Sequence, residues 1–272
     1  MITIPKTPQP ISKVGDYLVE EIDHRPFSKR IDAARIDGVK LPDRPWEKQS
    51  RGWRASGLAH CLKQQAYAML GHTPSVDTYN PDYERAAGQG TWLHENVQKH
   101  MIACGDLVYA HPVYGPGVEL RLDRCCDPAM EPLRRSLSFT GHIDAVVKTP
   151  VGGGRATGLA VWDLKTVSSA DMLPTNRWFE QKLLKWAIQV NSYAHFFMTP
   201  NGTKCQESYI LAMSRDKTSD RRLFRVPYQP DLADAEMARV AAAQALVAAG
   251  TLPVGESGAC RFCGFGGCSE RR

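Results

Sequence analysis

In the stretch GLAVWDLKTV a carboxylate and an ammonium, Asp163 and Lys165, stand two residues apart. If the stretch is a strand, alternate side chains share a face, so both project into one site. Upstream, GHID offers His142 and Asp144, again two apart, after the small Gly141, which lets something approach the backbone. Two strands then bring two acids and a lysine together. Magnesium-like cations bind through one or two carboxylates plus substrate phosphate oxygens. A neighbouring lysine can orient the attacking water or offset charge developing on phosphate. The set suits hydrolysis of a phosphodiester. D-x-K and G-x-x-D each recur by chance in many sequences, so the weight rests on their order and context.

A second set closes the chain, in CRFCGFGGC. Cys260, Cys263 and Cys268 crowd together as metal ligands do, whereas a tetrahedral thiolate site wants four, so the fourth has to lie elsewhere. The chain has eight cysteines, and its N-terminus lacks the basic-then-apolar order of a signal peptide. That usage points to reduced thiols or metal ligands and to a cytoplasmic protein. No apolar run approaches the ~20 residues that span a bilayer, so no membrane partner is expected.

These residues need a scaffold. With 272 residues, 43% hydrophobic and 23% charged, the composition is that of an ordinary globular chain. A formal charge of +5 permits an anionic partner without demanding one. Residues 1–50 mix prolines, charges and short apolar patches such as Tyr17, Leu18 and Ile22, and read as an extension wrapped on a domain over 51–272. SGLAHCLKQQAYAML sets Leu58, Leu62, Ala66 and Met69 at helical intervals with Ser56 as N-cap, and GTWLHENVQKHMIACG holds a second helix. Strand patterns follow in DLVYAHPVYG, VELRLD, SLSFTGHIDAVVK and GLAVWDLKTV. The turn-rich TPVGGGRATG joins the last two as neighbours in one sheet. Next come a long helix, FEQKLLKWAIQVNSYAHFFM, a strand pair, ESYILAMS and RLFRVPY, and an alanine-rich helix over 231–249. The expected architecture is α/β, a central mixed β-sheet flanked by helices.

In chain order the motifs are S-x-L-x-x-C at 56–61, G-x-x-x-H at 90–94, G-H-I-D at 141–144, D-L-K at 163–165, Q-x-x-x-Y at 189–193, and the cysteine tail. Together they resemble the PD-(D/E)XK nucleases, specifically the RecB-like branch that includes the CRISPR-associated iron-sulfur exonucleases. The resemblance spans about residues 56–268. It implies a restriction-endonuclease-like core. His94, Asp144, Asp163 and the Leu164 carbonyl become ligands of magnesium or manganese, and Lys165 the catalytic lysine. Gln189 and Tyr193, four apart on one helix face, support the active site and the DNA backbone. The resemblance also implies Cys61 as the missing fourth thiolate, so that the cysteine metal ties the first helix to the tail. Such a staple would contribute to folding. The tail departs from the family spacing, with the four residues GFGG where five are usual, and four thiolates suit either a [4Fe-4S] cluster or structural zinc. Asp163 stands where many relatives carry glutamate.

The implied activity is a metal-dependent DNA exonuclease acting at single-stranded ends or flaps, in recombination, repair or CRISPR-adaptation-like processing with proteins of those pathways. A fold-retaining nucleic-acid adaptor without cleavage is the competing reading. Two stretches could meet DNA. SRDKTSDRRLFR concentrates Arg215, Lys217, Arg221, Arg222 and Arg225, and NRWFEQKLLKW combines Arg177, Lys182 and Lys185 with Trp178 and Phe179. Basic groups there could neutralise phosphates and aromatic faces could stack on bases, or the stretches could be solvated surface over buried aromatics.

Overall fold

The computed structural model describes residues 12–14, 16–42, 52–58, 61–72, 81–105, 107–150, 157–173 and 176–253. Cys260, Cys263 and Cys268 lie outside the described residues. In chain order the elements are β1 (Ser12–Val14), β2 (Tyr17–Ile22), α1 (Arg25–Ala33), a 3-10 turn (Ala55–Gly57), α2 (Leu62–Met69) and α3 (Pro81–Ala103). There follow β3 (Ala110–His111), β4 (Gly115–Pro116), β5 (Val118–Arg121), α4 (Leu122–Cys125), α5 (Glu131–Ser136) and β6 (His142–Pro150). The chain continues through β7 (Thr157–Val167), α6 (Arg177–Phe196), β8 (Glu207–Ser214), β9 (Arg221–Pro227) and α7 (Pro230–Ala248).

The fold is α/β. A mixed central sheet has the order β2-β9-β8-β7-β6-β5, with β1 paired onto β2 at one edge. β7 and β8 run parallel, and α6 is the crossover that a parallel pair requires. Strict alternation sorts the side chains of the inner strands. Ala160, Trp162, Leu164, Tyr209, Leu211 and Met213 join Phe27 of α1 and Leu93, Val97 and Met101 of α3 in one buried cluster. Ile210 and Ala212 face the other way, against Phe179, Leu183, Ala187 and Val190 of α6. β8 is covered on both faces, which is why ESYILAMS reads as a nearly continuous apolar run.

Three expectations are corrected. No helix starts at Ser56, which sits in the 3-10 turn; α2 begins at Leu62, with Cys61 in the N-cap position. The cause is Gln65, which folds back over the turn. Its Nε2 donates to the Gly57 carbonyl at 2.7 Å, and its Oε1 accepts from the Arg54 amide at 3.1 Å. The strand expected across DLVYAHPVYG is broken up: Val108 bridges to Val147 of β6, and the short pair β3 and β4 follows on either side of Pro112, which has no amide to donate. The N-terminal stretch is more than a wrapping, because β2 pairs with β9 in register Glu20↔Arg225, Glu21↔Phe224 and Ile22↔Leu223.

That pairing also changes the reading of the basic hairpin. Arg221 engages Asp32 of α1 at 2.9 Å, Arg225 engages Glu20 and Glu207, and Lys217 engages Asp220. Arg222 is the most elaborately held. It makes a two-pronged pair with Glu21 at 2.8 and 2.6 Å, donates to the Met172 carbonyl, and lies 4.5 Å from the Phe179 ring centre. Arg222 and Arg225 thus fasten β2 to the sheet through Glu21 and Glu20, and Arg221 ties α1 to the hairpin. Among the described residues no helix is long and apolar enough to cross a membrane.

Reversing the charge at Arg222 (Arg222→Glu) therefore destabilises the fold by about 2 to 3 kcal/mol, through loss of the bidentate pair and repulsion from Glu21. Urea unfolding reads the loss. Glu21→Arg combined with Arg222→Glu restores part of it.

Candidate active site

The β6–β7 ladder runs from Pro150↔Thr157 to Ala145↔Trp162 and ends there. Beyond that pair β6 follows β5, through Ile143↔Leu120 and His142↔Arg121, while β7 stays with β8 as far as Val167↔Ser214. The sheet opens into a fork at Asp144 and Asp163. Leu164 has lost its partner across the fork, and its amide donates to Asp144 Oδ2 at 2.7 Å. In a strand the N–H and C=O of one residue point to the same edge, so the Leu164 carbonyl faces the same gap.

Asp163 and Lys165 project together, as their spacing requires. Lys165 Nζ lies 2.8 Å from Asp163 Oδ2 and donates to Gln189 Oε1 at 3.0 Å. Gln189 Nε2 in turn donates to Asp163 Oδ1 at 3.3 Å and to the Tyr193 hydroxyl at 3.1 Å. Gln189 and Tyr193 thus reach the strand from α6 on one helix face. The Lys165 ammonium is the one partner of Asp163 Oδ2 among the described residues, so this oxygen is engaged by charge and by nothing else. Burial pushes the Asp163 carboxyl up to about 6; Lys165 opposes the rise and the Asp144 charge adds to it. Burial, then the Asp163 and Asp144 charges, hold the Tyr193 phenol well above its ordinary range.

Two glycines let the helices close on the fork. A Cβ on Gly90 would come within 2.7 Å of Thr166 Oγ1, so a glycine there lets α3 lie against β7. One turn on, His94 lies on the same face, with Nδ1 3.7 Å from Asp144 Oδ2. That distance is too long for a hydrogen bond. A Cβ on Gly141 would come within 2.7 Å of Tyr193 Cε1, so this glycine admits the tyrosine ring beside the start of β6.

His94, His142, Asp144, Asp163, Lys165, Gln189 and Tyr193 all line one cleft of about 990 Å³. Leu164 is buried beside it, and Cys61 is buried elsewhere, at the start of α2. Leu62 and Ala66 of α2 share a core with Met237, Val240 and Ala243 of α7, the helix that leads to the tail. Of the second basic stretch, Phe179 belongs to the core, Lys182 pairs with Asp171 at 2.8 Å, and Trp178 is exposed.

Two residues of the site escaped the sequence reading. Gln98 is completely buried on α3, and its Nε2 donates to Glu119 Oε1 at 2.5 Å and to the Asp144 carbonyl at 2.9 Å. Glu119, which also lines the cleft, has a φ of +53°, a left-handed conformation costly for a residue with a side chain. The available signal was the row Gly90, His94, Gln98, in which no four-residue step carries an apolar side chain although it runs beside the apolar Leu93 and Val97.

The donors are of the type that hard cations take, carboxylate and carbonyl oxygens with an imidazole, and Asp163 Oδ2 is a buried oxygen whose neighbour is the Lys165 ammonium. Even so, among the described residues no group of three or more His, Cys, Asp and Glu side chains is gathered closely enough to hold a metal ion. No protein-family model matches this chain, and no curated protein matches it. Among solved structures, a chain described as the crystal structure of SSO0001 aligns over 90% of this chain and 95% of its own length, at 14% identity and a TM-score of 0.44. A likeness that loose carries no inference about fold or function.

Asp163 yields a signed pH dependence. Its folded proton affinity exceeds that of an unfolded aspartate, so the stability it contributes is fully present below about pH 4 and is lost as pH rises through about 6. In EDTA, the unfolding free energy of Asp163→Asn relative to the natural chain therefore shifts in the variant's favour between pH 4 and 7, by on the order of 2 kcal/mol. Denaturant titrations at successive pH values measure the shift.

Proposed function

We propose that the chain is a divalent-metal-dependent deoxyribonuclease of the PD-(D/E)XK type, RecB-like, with a restriction-endonuclease-like core, trimming single-stranded DNA ends or flaps. The observation that carries the reading is the fork. It sets two carboxylates, a backbone carbonyl and a lysine around one gap, with the fully buried Asp163 carboxylate 2.8 Å from the Lys165 ammonium. The ordered motifs from Ser56 to the cysteine tail support the same reading.

Asp144, Asp163, His94 and the Leu164 carbonyl would hold magnesium or manganese. When bound, the cation would supply Lewis acidity toward phosphate and lower the proton affinity of a water. The protein's part is positional. Lys165 presents its ammonium beside the reacting phosphate, held by Gln189, whose amide is itself tethered to Asp163 and Tyr193. Gln98 fixes the backbone of Asp144 from the opposite helix. With water as nucleophile, hydrolysis leaves no covalent intermediate. On α6, Trp178, Lys185 and Gln189 recur at spacings of seven and four, one stripe along which a strand could leave the cleft.

Cys61 with Cys260, Cys263 and Cys268 would hold a [4Fe-4S] cluster, or zinc in a colourless protein. The shared core of α2 and α7 supports bringing these residues together. A cleavage-free adaptor is the second reading. What favours it is the engagement of Asp163 by Lys165, with no three-ligand group gathered among the described residues.

A cleavage assay on 5′- and 3′-labelled single- and double-stranded DNA, with magnesium, manganese or EDTA, separates the readings. Cleavage is expected with either metal and not with EDTA. Lys165→Ala slows it about 100- to 1,000-fold, the scale of losing one preorganised charge, while keeping most divalent binding. Asp144→Asn weakens divalent binding as well and leaves the iron content unchanged, whereas Cys61→Ser lowers iron as much as Cys263→Ser. Intact, cysteine-loaded protein that binds DNA and cuts no end or flap would establish the adaptor.

A further inference from the structure

We infer that Trp92 is a stacking platform for an unpaired nucleobase at the rim of the cleft, an inference that rests on the nucleic-acid reading above. α3 buries its apolar side fully, with Leu93, Val97 and Met101 each at most 6% exposed, yet Trp92, next to Leu93 in sequence, is 60% exposed. Leaving so large an aromatic in water forgoes the stability that burying it would add, which leaves the indole available to something outside the chain.

Its position says for what. Trp92, Glu95 and Lys99 recur at spacings of three and seven, so they share one side of α3, and Glu95 and Lys99 line the cleft, as does Thr91 next to the tryptophan. The indole therefore flanks the wall that carries His94, rather than a remote surface.

The cleft's cations select the ligand. Arg121 is drawn to Asp123, Arg134 to Glu131 and Lys165 to Asp163. Lys40, Arg54 and Lys99 also line the cleft and enter no ion pair among the described residues. A flat aromatic beside uncommitted cations fits a ligand that is planar and anionic by turns, which is an unpaired nucleic-acid strand. Bases stack on such faces with little regard to sequence, while phosphates take the cations. A duplex offers no comparable exposed base face.

The test is binding in EDTA, so that cleavage plays no part, using a fluorescein-labelled 15-mer of thymidylate and an abasic strand of equal length. Trp92→Ala is expected to weaken thymidylate binding about tenfold, the scale of one stacked base, leaving the abasic strand unaffected. Trp92→Phe retains most of the affinity. Since the side chain is exposed, the variants fold, and a circular-dichroism melt confirms it. Unchanged thymidylate affinity in Trp92→Ala overturns the inference and points the indole toward an apolar protein partner. An equal loss for both strands also overturns it, since no base is then being read. If the natural chain binds neither strand, the nucleic-acid reading itself falls and the inference falls with it.

Discussion

Everything at this site depends on a hydrogen bond that the sheet cannot make. Where β6 and β7 separate, the Leu164 amide loses its ladder partner, and a buried N–H without an acceptor costs on the order of 1 to 3 kcal/mol. Asp144 supplies the acceptor at 2.7 Å. One carboxylate oxygen thus closes a gap in the backbone and is held at the fork in doing so. The same parting of strands that creates the orphan also creates the opening in which Asp163, the Leu164 carbonyl and Lys165 face one another.

The helices are fitted to that fork from opposite faces of the sheet. α3 comes close through Gly90 and delivers His94 and Gln98; α6 delivers Gln189 and Tyr193, with Gly141 making room for the tyrosine ring. The polar groups form two hydrogen-bonded sets that meet at the fork. Gln98 spans Glu119 and the Asp144 carbonyl, while Gln189 spans Lys165, Asp163 and Tyr193. Such networks fix geometry well when satisfied, and the strained point here is the buried Asp163 carboxylate, whose Oδ2 rests on the Lys165 ammonium alone among the described residues. The left-handed Glu119 is a second point of strain, and both lie in the cleft.

What could be read from the sequence was what local periodicity governs. Asp163 with Lys165, and Gln189 with Tyr193, follow from strand and helix repeats, and the antiparallel pairing of β6 with β7 follows from a short turn-rich connector. What could not be read was set by partners distant in the chain. Arg222 could be read as a phosphate contact or as solvated surface, and its ion pair was not foreseen because its partner Glu21 lies 201 residues away. The strand character of residues 17–22 comes from β9, and the helix expected from Ser56 is displaced by the side chain of Gln65 folding backward. Glu119 was hidden because strict alternation in VELR predicts a regular strand, whereas the chain turns left-handed there.

The role proposed for the fork between β6 and β7 is that of a divalent-cation site for phosphodiester hydrolysis. Crystals soaked in manganese and measured at its absorption edge test it most directly. The account predicts one anomalous peak in the gap, bonded to Asp144, Asp163 and the Leu164 carbonyl, with Lys165 Nζ drawn off Asp163. An empty fork with the Asp163–Lys165 pair intact, at manganese concentrations that saturate ordinary nuclease sites, would contradict it.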